Sequence, residues 1–167
     1  MKLLSGGQSG VDRAVLDVAL ARSLDYGGWC PKGGWAEDCP TPPGILTKYP
    51  RLKETPLADP AQRTEWNVRD ADACLILVDT GGVKVSAGTM LAGDLARRYR
   101  KPLLVVDLRE PGILDRAAPW LRAQQTKHGS GFALAIGGPR ESEAPGIYQR
   151  ASAFIGALLD ARSVLLT

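Results

Sequence analysis

Cysteine and histidine are scarce in this 167-residue chain: Cys30, Cys39 and Cys74 are the only cysteines, and His128 is the only histidine. An odd, sparse cysteine count argues against a disulfide framework, and no Cys-x-x-Cys pair occurs. A structural zinc site draws four ligands, mostly Cys or His, so no metal site is expected. A nucleophilic Cys30 would depend on His128, which falls in an expected loop, and it is set aside. Long hydrophobic runs are also missing. The longest, Ala73 to Val78, is far short of the ~18 residues of a membrane span. The apolar start at Leu3-Leu4 is too short for a signal peptide, so a cytoplasmic protein with no membrane partner is expected. Charge of one sign is lacking too: 21 basic against 18 acidic residues give +3. The basic residues are spread along the chain and form no stripe, so no nucleic-acid partner is expected.

What is present suits an ordinary globular protein. Hydrophobic residues are 44% and charged residues 23%, which excludes disorder as the main reading. The length suits one domain over residues 1–167. A chain of this size buries roughly 70% of its unfolded surface. Glycine and proline, at 19 and 12, are the informative residues because both punctuate loops.

Apolar patterning places the elements. Lys2 to Ser5 reads as a short strand. Val11, Ala14, Val15, Val18 and Ala19 form one helical stripe. Residues 25–60 hold seven prolines and look irregular, with a short strand near Tyr26 to Trp29. Asp59-Pro60 reads as an N-cap and first helical position. Ala73 to Val78 reads as a buried parallel strand. A helix from Thr89 to Arg98 and a strand from Leu103 to Val106 follow. A helix from Ile113 to Gln125 is expected to break at Pro119. A strand at Phe132 to Ile136 precedes a last helix starting near Glu143. Strands alternating with helices predict an α/β fold, a Rossmann-like three-layer sandwich with a mostly parallel central sheet.

Three strands run into glycine-rich turns: Gly6, Gly7, Gln8, Ser9 and Gly10; Gly81, Gly82, Ser86, Gly88 and Thr89; and Gly137-Gly138-Pro139-Arg140. In a parallel sheet all three fall on one edge, where ligands bind. Glycine lets backbone approach a ligand, and helix N-termini favour anions, so a composite phosphate or oxyanion site is predicted. None of the turns is Gly-x-x-x-x-Gly-Lys-Ser/Thr or a clean Gly-x-Gly-x-x-Gly, which argues against an ordinary nucleotide triphosphatase or dinucleotide fold. Beside the turns, Arg13 could clamp an oxyanion, with Asp12 on a sugar hydroxyl or orienting Gln8. Lys32 could meet a phosphate, and Glu37 or Asp38 a base or a metal, for which acid clustering alone makes only a weak case. On the polar helix Gln62, Glu65 and Arg69 share a face, which could equally be solvated.

The run Ser5-Gly6-Gly7-Gln8-Ser9-Gly10-Val11-Asp12-Arg13 resembles the opening motif of the molybdenum carrier family. That family is a circularly permuted YpsA-like branch of the SLOG superfamily of Rossmann-like domains. Matching pieces follow in order. They are Gly27 to Gly33, Ala36-Glu37-Asp38, Tyr49-Pro50, Gln62 to Ala73, Gly81 to Thr89, Lys101-Pro102, Gly138-Pro139-Arg140 and Pro145 to Tyr148. The resemblance implies binding of molybdenum cofactor or another nucleotide derivative, with self-association into a homo-oligomer. The superfamily also contains phosphoribohydrolases with a Pro-Gly-Gly-x-Gly-Thr-x-x-Glu motif. Here Thr80-Gly81-Gly82 is separated from Gly88-Thr89, and Ala92 stands at the glutamate position. The hydrolase alternative would therefore need Glu65 as its acid. A nucleotide-sensing interaction module is a third reading.

Overall fold

The computed structural model describes residues 1–81 and 86–163. Five strands form one parallel sheet: β1 (Lys2–Leu4), β2 (Asp25–Gly27), β5 (Ala73–Val78), β6 (Leu103–Asp107) and β7 (Ala133–Gly137), in the order β2-β1-β7-β5-β6. The register pairs Leu3 with both Tyr26 and Leu134, and Leu75 with both Leu104 and Ile136. A separate parallel pair, β3 (Trp29–Cys30) and β4 (Lys53–Glu54), lies in the proline-rich segment.

Side-chain alternation along the strands explains the three layers. Leu3, Leu75, Leu77, Leu134 and Ile136 point to one face. There they pack with α1 (Val11–Ala21), α4 (Ile113–His128) and α5 (Ile147–Ser163). Leu4, Cys74 and Ala135 point to the other. There they meet Val68 of α2 (Pro60–Asp70) and Leu95 and Ala96 of α3 (Ala87–Arg98). The expected Rossmann-like sandwich is observed, with its sheet wholly parallel. The second core is the thinner one, because its strand residues include Cys74 and Ala135.

The helix ends follow their local chemistry. Asp59 caps α2 by accepting from Ala61 N–H at 2.8 Å, with Pro60 at the first position. Ser86 caps α3, so that helix begins two residues before the expected Thr89. Pro119 does not end α4, which runs through it. Ala117, Ala118 and Leu121 are buried around it, and that packing offsets the missing N–H bond. The last helix starts at Ile147, after a turn in which Glu143 and Ala144 N–H both donate to Arg140 C=O.

The proline-rich segment is anchored to the sheet edge by a few residues. Ile45, Tyr49 and Leu52 are buried in the larger core. Tyr49 Oη and Tyr148 Oη both donate to Asp17, at 2.7 and 2.9 Å, tying the segment and α5 to α1. Asn67 of α2 acts as a surrogate strand for Trp29. It accepts from the Trp29 N–H and donates to its C=O, each at 2.9 Å.

Candidate functional site

The strands β1, β7 and β5 end side by side, so the first and third glycine turns and the start of α3 share one edge. Chain leaves β1 for α1 on one face and β5 for α3 on the other. That reversal opens a crevice beyond the strand ends, as in other open α/β sheets. A cavity of about 70 Å³ lies there, under α2 and α3. It exists because the residues facing it are small: Ala135, Gly137, Gly88 and Ala92 line it.

The floor of the cavity is the backbone of the first turn. A Cβ at Gly6 would displace the ends of the Arg63 and Asp12 side chains, coming 2.8 Å from Asp12 Oδ2. Those two groups form an ion pair at 2.7 Å. Burial pushes the Asp12 carboxyl up from the ordinary aspartate range, and the Arg63 guanidinium pulls the other way. Gln8 also lines the cavity, and its Oε1 accepts from the N–H groups of Ser9 and Glu37 at 3.0 and 2.8 Å.

The roof is the first turn of α3. Ser86 Oγ accepts from Thr89 N–H at 3.3 Å. The other N–H groups of that turn have no carbonyl partner within the helix and carry the positive end of its dipole. Thr89 is 3% exposed, and its Oγ1 has no hydrogen-bond partner. Arg63 Nε is likewise buried without a partner. Buried polar atoms without a partner occur elsewhere too, Arg13 Nε and Arg150 Nε among them, but here two share one lining, and each carries a desolvation cost of about 1–3 kcal/mol.

By contrast, the N-terminus of α1 is closed to a ligand. Val11 N–H donates to Pro139 C=O at 3.2 Å. Gly10 (φ +74°) makes that contact possible, since a Cβ there would sit 2.5 Å from the same oxygen. Ser9 Oγ accepts from Glu141 N–H at 3.1 Å and also bonds Glu37. Burial works against the Glu37 charge, but the Ser142 and Ser9 hydroxyls hold its carboxyl below the usual range. The first and third turns are thus welded together.

Of the residues singled out in the sequence, Gly6, Gln8, Asp12, Ser86, Gly88 and Thr89 line the cavity. Gly7 packs beneath Ile45, and Ser9 and Gly10 face the third turn. Arg13 points to the other side of the turn. It binds Asp38 with two hydrogen bonds, at 2.8 and 2.9 Å, in a more open depression of about 510 Å³ outside this lining, which Ser9, Gly10 and Asp38 also line. Lys32 is exposed in a groove with Trp35 and Pro42. Gly81 is exposed, and Gly82 lies outside the described residues. Glu65 accepts from Tyr99 Oη at 2.7 Å and is not part of the lining. Among the described residues, no group of three or more His, Cys, Asp or Glu side chains could hold a metal ion. No described helix is long and apolar enough to cross a membrane.

Gly137, Gly138 and Arg140 of the third turn line the cavity as well, whereas Arg63, Asn67 and Glu143 line it and were not singled out as site residues. Arg63 sits one position from the Gln62, Glu65 and Arg69 face. The usable signal was the other stripe of α2: Thr64, Asn67 and Val68 recur at helical spacing and mark its inward side, with Arg63 on the flank.

The model of the circularly permutated YpsA SLOG family matches residues 3–159. Among solved structures, one titled "Putative molybdenum carrier protein" from Syntrophus aciditrophicus SB is 37% identical to this chain. It covers 97% of this chain and 94% of its own, with a TM-score of 0.79. No curated protein matches.

Proposed function

The chain belongs to the circularly permutated YpsA SLOG family, and on that premise we propose that it binds a phosphate-bearing small molecule in the cavity under α2 and α3. Its solved relative is titled a molybdenum carrier protein, and the cargo we infer for this chain is molybdenum cofactor or another nucleotide derivative. The observation that supports this reading best is the pair of unpartnered buried polar groups, Thr89 Oγ1 and Arg63 Nε, in one lining.

The chemistry of the donors fits an oxyanion. The Thr89 hydroxyl can donate to one phosphate oxygen, and first-turn N–H groups of α3 to others. Ser86 fixes that turn by capping it. Arg63 adds a guanidinium whose position is set by Asp12 and by the bare Cα of Gly6. A void of about 70 Å³ takes a phosphate-sized group. The remainder of a larger ligand then extends past the half-buried Arg140 and Glu143. The phosphoribohydrolase alternative is not adopted, because Glu65 is engaged by Tyr99 outside this lining.

Native mass spectrometry of gently purified protein, with metal analysis of the same sample, tests the reading. A bound phosphorylated species is expected, and a molybdenum isotope pattern on it would identify the cargo as the cofactor. The species should be lost in Thr89→Val. Retention of the same species by Thr89→Val and by Gly6→Ala, or no phosphorylated ligand in a binding screen, would overturn the proposal. The same spectra count subunits, for which a homo-oligomer is part of the proposal.

A further inference from the structure

We propose that Arg140 and Glu143 read the ring of the ligand. The ring class is one that presents a carbonyl oxygen beside a ring N–H, as 6-oxopurines and pterins do, and not adenine. The inference rests on the phosphate-binding reading above and adds a specificity pair to it.

Both residues follow β7 in the third glycine turn, and both line the cavity. Their side chains are 35% and 27% exposed, so they reach solvent as well as the lining, whereas Thr89 is buried. Arg140 Nε lies 3.5 Å from Glu143 Oε1, and Arg140 Nη1 lies 3.8 Å from Glu37 Oε2. Both distances exceed hydrogen-bond length. The guanidinium is therefore compensated in charge but keeps N–H groups to give. Glu143 Oε2 accepts from Arg140 N–H at 3.1 Å, while Oε1 has only the 3.5 Å contact. The result is a donor and an acceptor side by side.

The pair is held in place before any ligand arrives. The turn is fixed by Glu143 and Ala144 N–H on Arg140 C=O, both at 3.1 Å. Ser142 is tied to Glu37 through its hydroxyl at 2.6 Å and its N–H at 3.2 Å. Charge selects the occupant. Two carboxylates, Glu37 and Glu143, flank one guanidinium, so a second phosphate would meet net negative charge there. A neutral ring would not. A guanine or pterin edge places its C=O against Arg140 and its N–H and amino group against Glu143. Adenine reverses the pattern, setting a donor against the guanidinium and an acceptor against the carboxylate.

Calorimetric titrations with GMP, IMP, AMP, a phosphorylated pterin and ribose 5-phosphate test this. GMP or the pterin should bind about tenfold tighter than AMP, the scale of one good bidentate contact, with IMP between GMP and AMP. The tighter of GMP and the pterin identifies which source of the shared edge the site prefers. Glu143→Gln keeps an acceptor for the Arg140 N–H. It should erase the preference for GMP and the pterin over AMP, read as the ratio of their affinities to that of ribose 5-phosphate for the same variant. AMP binding as tightly as both GMP and the pterin would overturn the ring inference. So would equal weakening of ribose 5-phosphate by Glu143→Gln, which would mark a merely structural role. In either case ribose 5-phosphate binding would leave the phosphate reading standing. Failure of all five compounds would overturn both.

Discussion

Arg63 and Asp12 meet at 2.7 Å under the cavity floor, with side chains 15% and 5% exposed and 51 positions apart in sequence. The pair fixes α2 against the first glycine turn. Breaking a buried pair from one side strands the other charge, which typically costs about 3–5 kcal/mol. Arg63→Met is expected to destabilise the protein at the low end of that range, about 3 kcal/mol, since the guanidinium is not fully buried. Adding Asp12→Asn to it should recover part of the loss, because the stranded carboxylate is removed. Urea unfolding of both single variants and the double variant measures this. Simple addition of the two single losses would show that the pair is not coupled.

Asp79, at the end of β5, sets how stability depends on pH at this edge of the sheet. Its side chain is 6% exposed and is bonded by Arg109 and Arg150. The Arg109 hydrogen bond is the main cause holding its carboxyl below the ordinary 3.8. The unfolded chain therefore takes up this proton more readily than the folded one. The contribution is fully present above the unfolded value and is lost as pH falls through the lower folded value. Asp79→Asn should be less stable than the native protein near neutrality, and the gap should narrow below the ordinary 3.8. Urea midpoints across the acid range check this; a constant gap would exclude the carboxylate as its source.

Much of this edge was legible in the sequence because it depends on local rules. Apolar runs such as Ala73 to Val78 and the Asp59-Pro60 start mark elements wherever they occur. The glycine turns follow from strands of one direction sharing an edge. What escaped depends on which side of a turn or helix faces inward. Arg13 and Arg63 are equally plausible anion binders as letters. Each is paired with an aspartate, Arg13 with Asp38 and Arg63 with Asp12, and only the side of the turn that each reaches separates them. Likewise Glu65 and Arg63 are two positions apart on α2, and the inward side is set by Thr64, Asn67 and Val68. The folding of residues 25–60 rests on long-range bonds, such as Asn67 to Trp29 and Tyr49 to Asp17, that leave no periodic signal.

The three thiols should separate cleanly by reactivity. Burial pushes both Cys30 and Cys74 up to about 11. The thiolate is the reacting form, so each is almost wholly protonated at mildly alkaline pH. Cys39 is half-buried and reaches solvent. Iodoacetamide should label Cys39 first, with Cys30 and Cys74 following only on unfolding, as read by peptide mass spectrometry. Cys74 also lines the cavity. Labelling of Cys74 as fast as Cys39 would contradict its burial as the source of the protection.

Thr89 offers a test in which stability and binding move in opposite directions. Its buried Oγ1 has no partner. The nearly isosteric Thr89→Val removes that polar atom and leaves the Thr89 N–H bond to Ser86 Oγ available to the new residue. An unsatisfied buried hydroxyl carries a desolvation cost, so the ligand-free variant should be as stable as the native protein or more so, by up to about 1 kcal/mol. Phosphate binding should weaken, because the variant cannot donate to the oxyanion, whereas Thr89→Ser should retain it. Thermal melts with and without inorganic phosphate separate the two effects: native protein and Thr89→Ser should gain stability with phosphate, and Thr89→Val should not. A hydroxyl kept for a structural reason would give the reverse ligand-free result, with Thr89→Val melting below the native protein and responding to phosphate just as well.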